Sequence, residues 1–407
     1  MSDNIYKIDF PCDVCRIIQH LAEEGYDSYA VGGCIRDLIL GCTPHDWDIT
    51  TSAKPEDVIR IFGEGDISVI GTAGIRHGTV MLKGTDGVYE VTTFRKDGEY
   101  NDHRRPDSVI FSERIEDDLA RRDFTMNAIA AKPCGKDAVV IDPYGGIDDI
   151  NAKLIRTVGV PVDRFEEDAL RVLRALRFAS VLGFDIEEDT ASAIFEKYFT
   201  LRYVAFERIS EELWKFLHGN NASDVAACFA DVFGWITEGG LSDRFLKYVG
   251  ETSDPYVRLA LMLDHGSSPS AFFDRMRFSG KTVKSVRDLL SIESAPETVS
   301  DVCQMMRKFG EAFHTVAEYL RILKKGGTID SGIVGEELVR VRNKVIEDNV
   351  PYMLSHLDVR GGDLISAGVI PVSVGSALES LLDMVQKGSI PNEKTALTAA
   401  VANEKTN

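Results

Sequence analysis

Near residue 160 the hydrophobic rhythm of the chain changes, and this constrains its architecture more than any other feature. Up to about residue 150, short apolar runs alternate with helix-start signals: YAVGG leads into CIRDLIL, and DWDIT into SAKPEDVIRIF. GTVML and VYEVTTF, with Gly84 to Gly87 between them, read as a hairpin. From Asp163 onward, segments such as RFEEDALRVLRALRFASVLG repeat at the 3.6-residue period, with turns at Gly183, Gly219 and Gly266. The expected fold class is therefore α+β: a head with a small mixed sheet over residues 1–150, then an all-α remainder. Its internal boundaries fall softly near 220 and 300. At 407 residues, two or three domains are expected, and no repeat of 20–50 residues is evident.

Composition removes several classes. No apolar run approaches the length that crosses a bilayer, and the opening MSDNIYKIDF lacks the features of a secretory signal, so a cytoplasmic protein is expected. Seven irregularly spaced cysteines describe no disulfide framework. Cys12 and Cys15 form a CxxC with no second ligand pair nearby, and read as residues of a helix that starts near Pro11. A net charge of −19 argues against general polyanion binding, so any RNA partner has to meet local basic patches. Arg104, Arg105, Arg121 and Arg122 form one such patch. Arg275, Arg277, Lys281, Lys284 and Arg287 form a second, which reads equally well as a solvated helix face.

The chemistry-bearing residues cluster in the first part. Asp46 and Asp48 are two apart in a strand-like segment, which puts both carboxylates on one face of a sheet. Glu90 adds a third if its strand lies beside DWDIT. Such hard oxygen donors suit Mg²⁺ together with phosphate oxygens and water. Two ions about 3.5–4 Å apart can activate a ribose 3′-hydroxyl and stabilise departing pyrophosphate. Upstream, Val31-Gly32-Gly33 ends a strand and opens directly into a helix, where backbone amides can approach a triphosphate. Arg36, one turn in, adds a charge-assisted hydrogen bond. A DxD or a GG turn alone is common; the combination at this spacing is much rarer.

With these residues in hand, the chain resembles the class II tRNA nucleotidyltransferase and bacterial poly(A) polymerase family. GYDSYAVGGCIRDLILG followed by DWDITTSAKPEDV is similar to the family's first motif, and the resemblance makes Asp46 and Asp48 metal ligands, with Glu90 a further acidic residue. RRDFTMNAIA is similar to its second signature, which implies nucleotide contacts for Arg122, Asp123 and Asn127. EEDALRVLRALRFA resembles the base-selecting helix, with Asp168, Arg171, Arg174 and Arg177 at the matching positions. Cytosine and adenine both show an amine donor beside a ring-nitrogen acceptor, which a carboxylate and a guanidinium satisfy. Uracil and guanine present the reverse, leaving buried polar groups opposed, at about 1–3 kcal/mol each.

The resemblance implies a head (1–150), a neck that reads the base (151–220), a body (221–300) and a tail that binds tRNA (301–407). It implies CTP, ATP, Mg²⁺ and the tRNA 3′ end as partners, with CCA addition as the activity. Residues 95–122 resemble the loop of complete CCA-adding members. On that likeness, full CCA addition is expected over A-only addition or poly(A) synthesis. LMLDHG at 261–266 lacks the outlying ligands of a metal phosphohydrolase and reads as a helix end. LDVRGGDLISAGV and GSALESLLDMVQKGSIPNEK resemble the family's tail, although Pro371 to Gly375 lacks the usual Gly-Pro. A small-molecule nucleotidyltransferase would share GG and DxD but not RRDFTMNA or the long helical remainder. A non-catalytic RNA-binding protein has no need of the three carboxylates.

Overall fold

The computed structural model describes residues 4–97, 109–135, 137–264 and 268–403. The chain forms two compact units: Met1–Ile236 with Arg275–Arg277, and Thr237–Asp274 with Phe278–Asn407. Among the described residues no helix is long and apolar enough to cross a membrane, and all seven cysteines are free.

The first unit is built on a sheet of eight strands. They are β1 (Asn4–Tyr6), β2 (Ser28–Val31), β3 (Asp48–Thr51), β4 (Ser68–Gly71), β5 (Thr79–Lys83) and β6 (Val88–Thr93), with Ala130–Cys134 and Asp137–Ile141 completing it. Arg95–Asp97 (β7) and Val109–Phe111 (β8) pair as a separate ribbon, which makes the last two strands of the sheet β9 and β10. The order is β1-β10-β9-β2-β3-β6-β5-β4. All neighbours run antiparallel except β3 and β6, which are parallel, with Asp48 opposite Glu90. The expected hairpin is β5–β6, closed by the Gly84 amide donating to the Gly87 carbonyl at 2.9 Å. A Cβ on Gly84 would lie 2.3 Å from the buried Asp13 carboxylate, which accepts from Thr85 and from the Asp86 amide.

Helices follow the expected signals. They are α1 (Cys12–Glu23), which starts after Pro11, then α2 (Gly33–Ile39), α3 (Pro55–Ile61), α4 (Ile115–Ala120) and α5 (Gly146–Ala152). Pro55 opens α3 at the position where its missing N–H costs nothing. Tyr29, Val31, Phe94, Ile115, Leu119, Ala128, Ala130 and Val158 form a core on the sheet. The segment EEDALRVLRALRFA departs from expectation. It is two helices, α6 (Pro161–Glu167) and α7 (Leu170–Leu182), separated by an extended Asp168. α7 stops at Gly183, which is left-handed at φ +69° and too close to Asn221 for a side chain. α8 (Glu188–Lys197) and α9 (Phe206–Leu217) continue the unit, with α9 packed on α7.

The second unit is helical. Pro255–Leu263, Gly280–Leu290, Val299–Phe309, Phe313–Lys325, Gly335–Glu347 and Val374–Gln386 are its longer helices. Thr298 and Asp301 close a reciprocal capping box, which fixes one start. Leu357, Leu364, Leu381, Leu382 and Leu397 make a terminal apolar cluster. LMLDHG ends its helix at Leu263, with His265 and Gly266 outside the described residues. Pro371–Ser373 forms a single tight turn leading into Val374–Gln386.

Candidate functional site

The carboxylates emerge where β3 meets β6. Asp48 begins β3 and its register partner is Glu90, so the expected adjacency of those two strands holds. Asp46, however, lies in the irregular segment before β3, because pairing with β2 starts only at Ile49. The same-face argument from strand alternation therefore does not apply to it. Proximity survives: burial raises the Asp48 carboxyl, Arg122 pulls it down and Asp46 pushes it up. Burial, then Asp48 and Asp46, raise Glu90. These are mutually repelling hard-oxygen donors, a charge arrangement that a divalent cation relieves. Among the described residues no group of three His, Cys, Asp or Glu side chains is placed to hold a metal ion, so the expected three-carboxylate site is not assembled here by these side chains alone.

Beside the carboxylates stands the glycine turn. Gly32 adopts φ +82°, and a Cβ there would come within 2.7 Å of an Arg122 guanidinium nitrogen. The positive φ demands glycine, and a side chain there would also displace the Arg122 guanidinium. Gly33 is not under the same demand, since its nearest neighbour would be an Arg36 nitrogen at 3.7 Å, ordinary contact. The Gly32 amide is occupied by the Ile129 carbonyl at 3.0 Å, so the expected amide donors at this turn begin with Gly33. Arg122 donates to the fully buried Asp118 at 3.2 Å, and its buried Nε has no partner. Asp118 also accepts two bonds from Arg121, at 3.0 and 2.8 Å, and the two arginines hold its carboxyl below the usual range against the opposing effect of burial.

A polar chain joins this turn to α7. Arg36 donates to Asn127 at 2.8 Å, and Asn127 donates to Asp123 at 3.1 Å. Asp123 then accepts from Arg174 at 2.7 Å. Burial pushes the Asp123 carboxyl up, but Arg174, Asn127 and Arg171 outweigh it and hold the value at about 2. Phe178 lies beneath three guanidinium groups: Arg177 at 3.9 Å, Arg36 at 5.2 Å and Arg174 at 5.5 Å from the ring centroid. Arg177 also pairs with Glu212 of α9 at 2.9 Å.

Asp168 and Arg171 meet through the backbone, the Arg171 amide donating to the Asp168 carbonyl at 3.0 Å. One Asp168 oxygen accepts the Leu170 amide at 3.1 Å and the other accepts from Arg208 at 3.0 Å. Arg171 is buried, donating to Glu167 at 2.7 Å and to the carbonyls of Arg164 and Arg121 at 3.1 and 2.9 Å. That Arg121 carbonyl adjoins Arg122, so Arg171 is tied to the segment carrying Arg122. Sequence reasoning missed Asp118, Arg208 and Glu212. Arg208 and Glu212 share one face of FERISEEL at four-residue spacing, a signal that by itself reads as an ordinary exposed face.

The arrangement offers an open carboxylate pair on a sheet, a guanidinium beside a glycine turn, and an Asp and an Arg at the start of a neighbouring helix. Residues 28–156 match the family described as Poly A polymerase head domain, and residues 183–226 match one described as Probable RNA and SrmB-binding site of polymerase A. The CCA-adding enzyme of Bacillus velezensis is 35% identical over 392 residues, covering 93% of this chain and 94% of that protein. The CCA-adding enzyme of Geobacillus kaustophilus is 48% identical over 215 residues, which span 53% of this chain and about half, 51%, of that one. Among solved structures, the Bacillus stearothermophilus CCA-adding enzyme in complex with CTP superposes with a TM-score of 0.76 at 31% identity, covering 96% of each chain.

Proposed function

Because the chain belongs to the CCA-adding enzyme family, we propose that it adds C, C and A in turn to the 3′ end of tRNA from CTP and ATP. Its reaction is template-independent nucleotidyl transfer with release of pyrophosphate. The observation that supports this reading is the Asp48–Glu90 register, with Arg122 acting on the Asp48 carboxyl and lying close to Gly32.

Asp46 and Asp48 would hold divalent ions, Mg²⁺ by the hardness of the donors, with Glu90 across the ladder. Bound there, the ions supply an activated terminal hydroxyl and charge neutralisation at the leaving pyrophosphate. Arg122, oriented by Asp118, and the amides from Gly33 onward grip the triphosphate, with Arg36 held behind them by Asn127. The Asp123–Arg174 pair places a carboxylate oxygen for the ribose hydroxyl. Asp168 and Arg171 inspect the base, and Arg177 and Phe178 form the wall beneath. Within this reading the helical regions are neck, body and tail, and the tail engages tRNA.

The deciding experiment incubates purified protein with tRNA ending at the discriminator base, and separately with tRNA ending in CC, supplying each nucleotide alone and then CTP with ATP. Products three nucleotides longer from the first substrate and one longer from the second are expected. Extension of the second substrate with none of the first, a long A ladder, or no extension of either would each overturn the proposal.

A further inference from the structure

Outside the site described, the first unit carries an unusual surface. Phe195, Phe199 and Tyr203 recur every fourth residue from the end of α8 through the following 3₁₀ turn, Tyr198–Tyr203, and they are 43%, 43% and 46% exposed. Rings of this size normally go inside, because each buries 150–250 Å² of surface, roughly. Phe195 leans on another ring, Phe229, at 5.1 Å. Arg202 stands between the other two, its guanidinium carbon 5.6 Å from the Phe199 centroid and 4.8 Å from that of Tyr203, and it donates to the Tyr203 hydroxyl at 2.7 Å. Among the described residues Arg202 has no carboxylate partner, in a chain where 65 acids face 46 Lys and Arg.

We propose that Phe199, Arg202 and Tyr203, extended by Phe195, form a stacking platform for unpaired bases of the RNA substrate. Every base has a π-face, so exposed rings bind successive nucleotides without reading their sequence, and an adjacent guanidinium stacks and answers the backbone phosphate. Charge points to RNA: in a chain of net charge −19, a cation without a carboxylate partner set among aromatic rings complements a polyanion with exposed bases. The region matched as a probable RNA and SrmB-binding site, residues 183–226, contains the whole patch. The inference rests on tRNA being the substrate, and it adds where the strand beyond the duplex lies.

The test compares the wild-type protein with the Phe199→Ala/Arg202→Ala/Tyr203→Ala variant. The probes are an RNA hairpin carrying a four-nucleotide unpaired 3′ end and the same hairpin made blunt. Affinity for the overhang hairpin is expected to fall at least about fivefold per lost ring, with blunt-hairpin affinity and the KM for CTP unchanged. Equal loss on both hairpins would assign the patch to duplex phosphates, and no loss on either would assign it to a protein partner or a second copy; each overturns the proposal. Phe199→Ala alone, at an exposed position, provides the same comparison should the triple variant melt early. CCA addition by the wild-type protein is measured in parallel. If it fails, the enzymatic reading falls; if it succeeds while both hairpin affinities stand, only the platform falls.

Discussion

Asp123 shows how one buried carboxylate can join two halves of a site. It takes bonds from Asn127, which leads to Arg36 and the glycine turn, and from Arg174 on α7. Its folded value of about 2 lies below the ordinary 3.8, so ionisation favours the native state. That contribution is complete above about pH 4 and disappears as pH falls from about 4 to about 2. It amounts to about 2 kcal/mol. Asp123→Asn should therefore lose roughly that stability at pH 7 and almost none near pH 2, as read by denaturant unfolding of both proteins at the two pH values. A second expectation concerns the open carboxylates. Asp46→Ala or Asp48→Ala should lower incorporation of both C and A by about a thousandfold, while tRNA binding by filter retention persists, because the ions serve chemistry rather than docking.

Helix interruption is the principal lesson at the level of elements. The strand, glycine turn and hairpin elements were legible because alternation, Gly-Gly and a short Gly-bounded loop are local signals. The break at Asp168 was not, since EEDALRVLRA has unbroken helical propensity and period. What parts the helices is partly local, one Asp168 oxygen accepting the Leu170 amide, and partly tertiary, the other accepting from Arg208 on α9. Likewise Asp46 falls outside β3 because its neighbours on β2 run out, which no periodicity reports. Asp168→Ala or Arg171→Ala should raise UTP or GTP incorporation relative to CTP, and Arg208→Ala should do so to a smaller degree, since it removes only the support. Unchanged selectivity in competition assays would remove these residues from base inspection. Within residues 95–122, which resemble the loop of complete CCA-adding members, the stretch 97–105 falls almost entirely outside the described residues. Its deletion should leave CC addition largely intact and sharply reduce A addition, as measured on tRNA ending in CC.

For the whole molecule, the division into two units places every candidate site residue in the first. Arg275, from far along the chain, belongs to that unit too, donating to the Ile236 carbonyl and lying 5.3 Å over the ring of Phe206. Arg275→Ala should lower the melting temperature by about 2–4 °C, the scale of about 1 kcal/mol in a unit this size, with the KM for CTP unaltered. The detour also has a meaning for synthesis. As the chain leaves the ribosome, the whole eight-stranded sheet emerges well before Arg275 does, so the Arg275 contacts of the first unit are made only after Thr237–Asp274 is translated. Those contacts come from residues whose codons lie beyond the start of the next unit, and a message cut short at Ile236 would yield a first unit without Arg275 against Ile236 and Phe206.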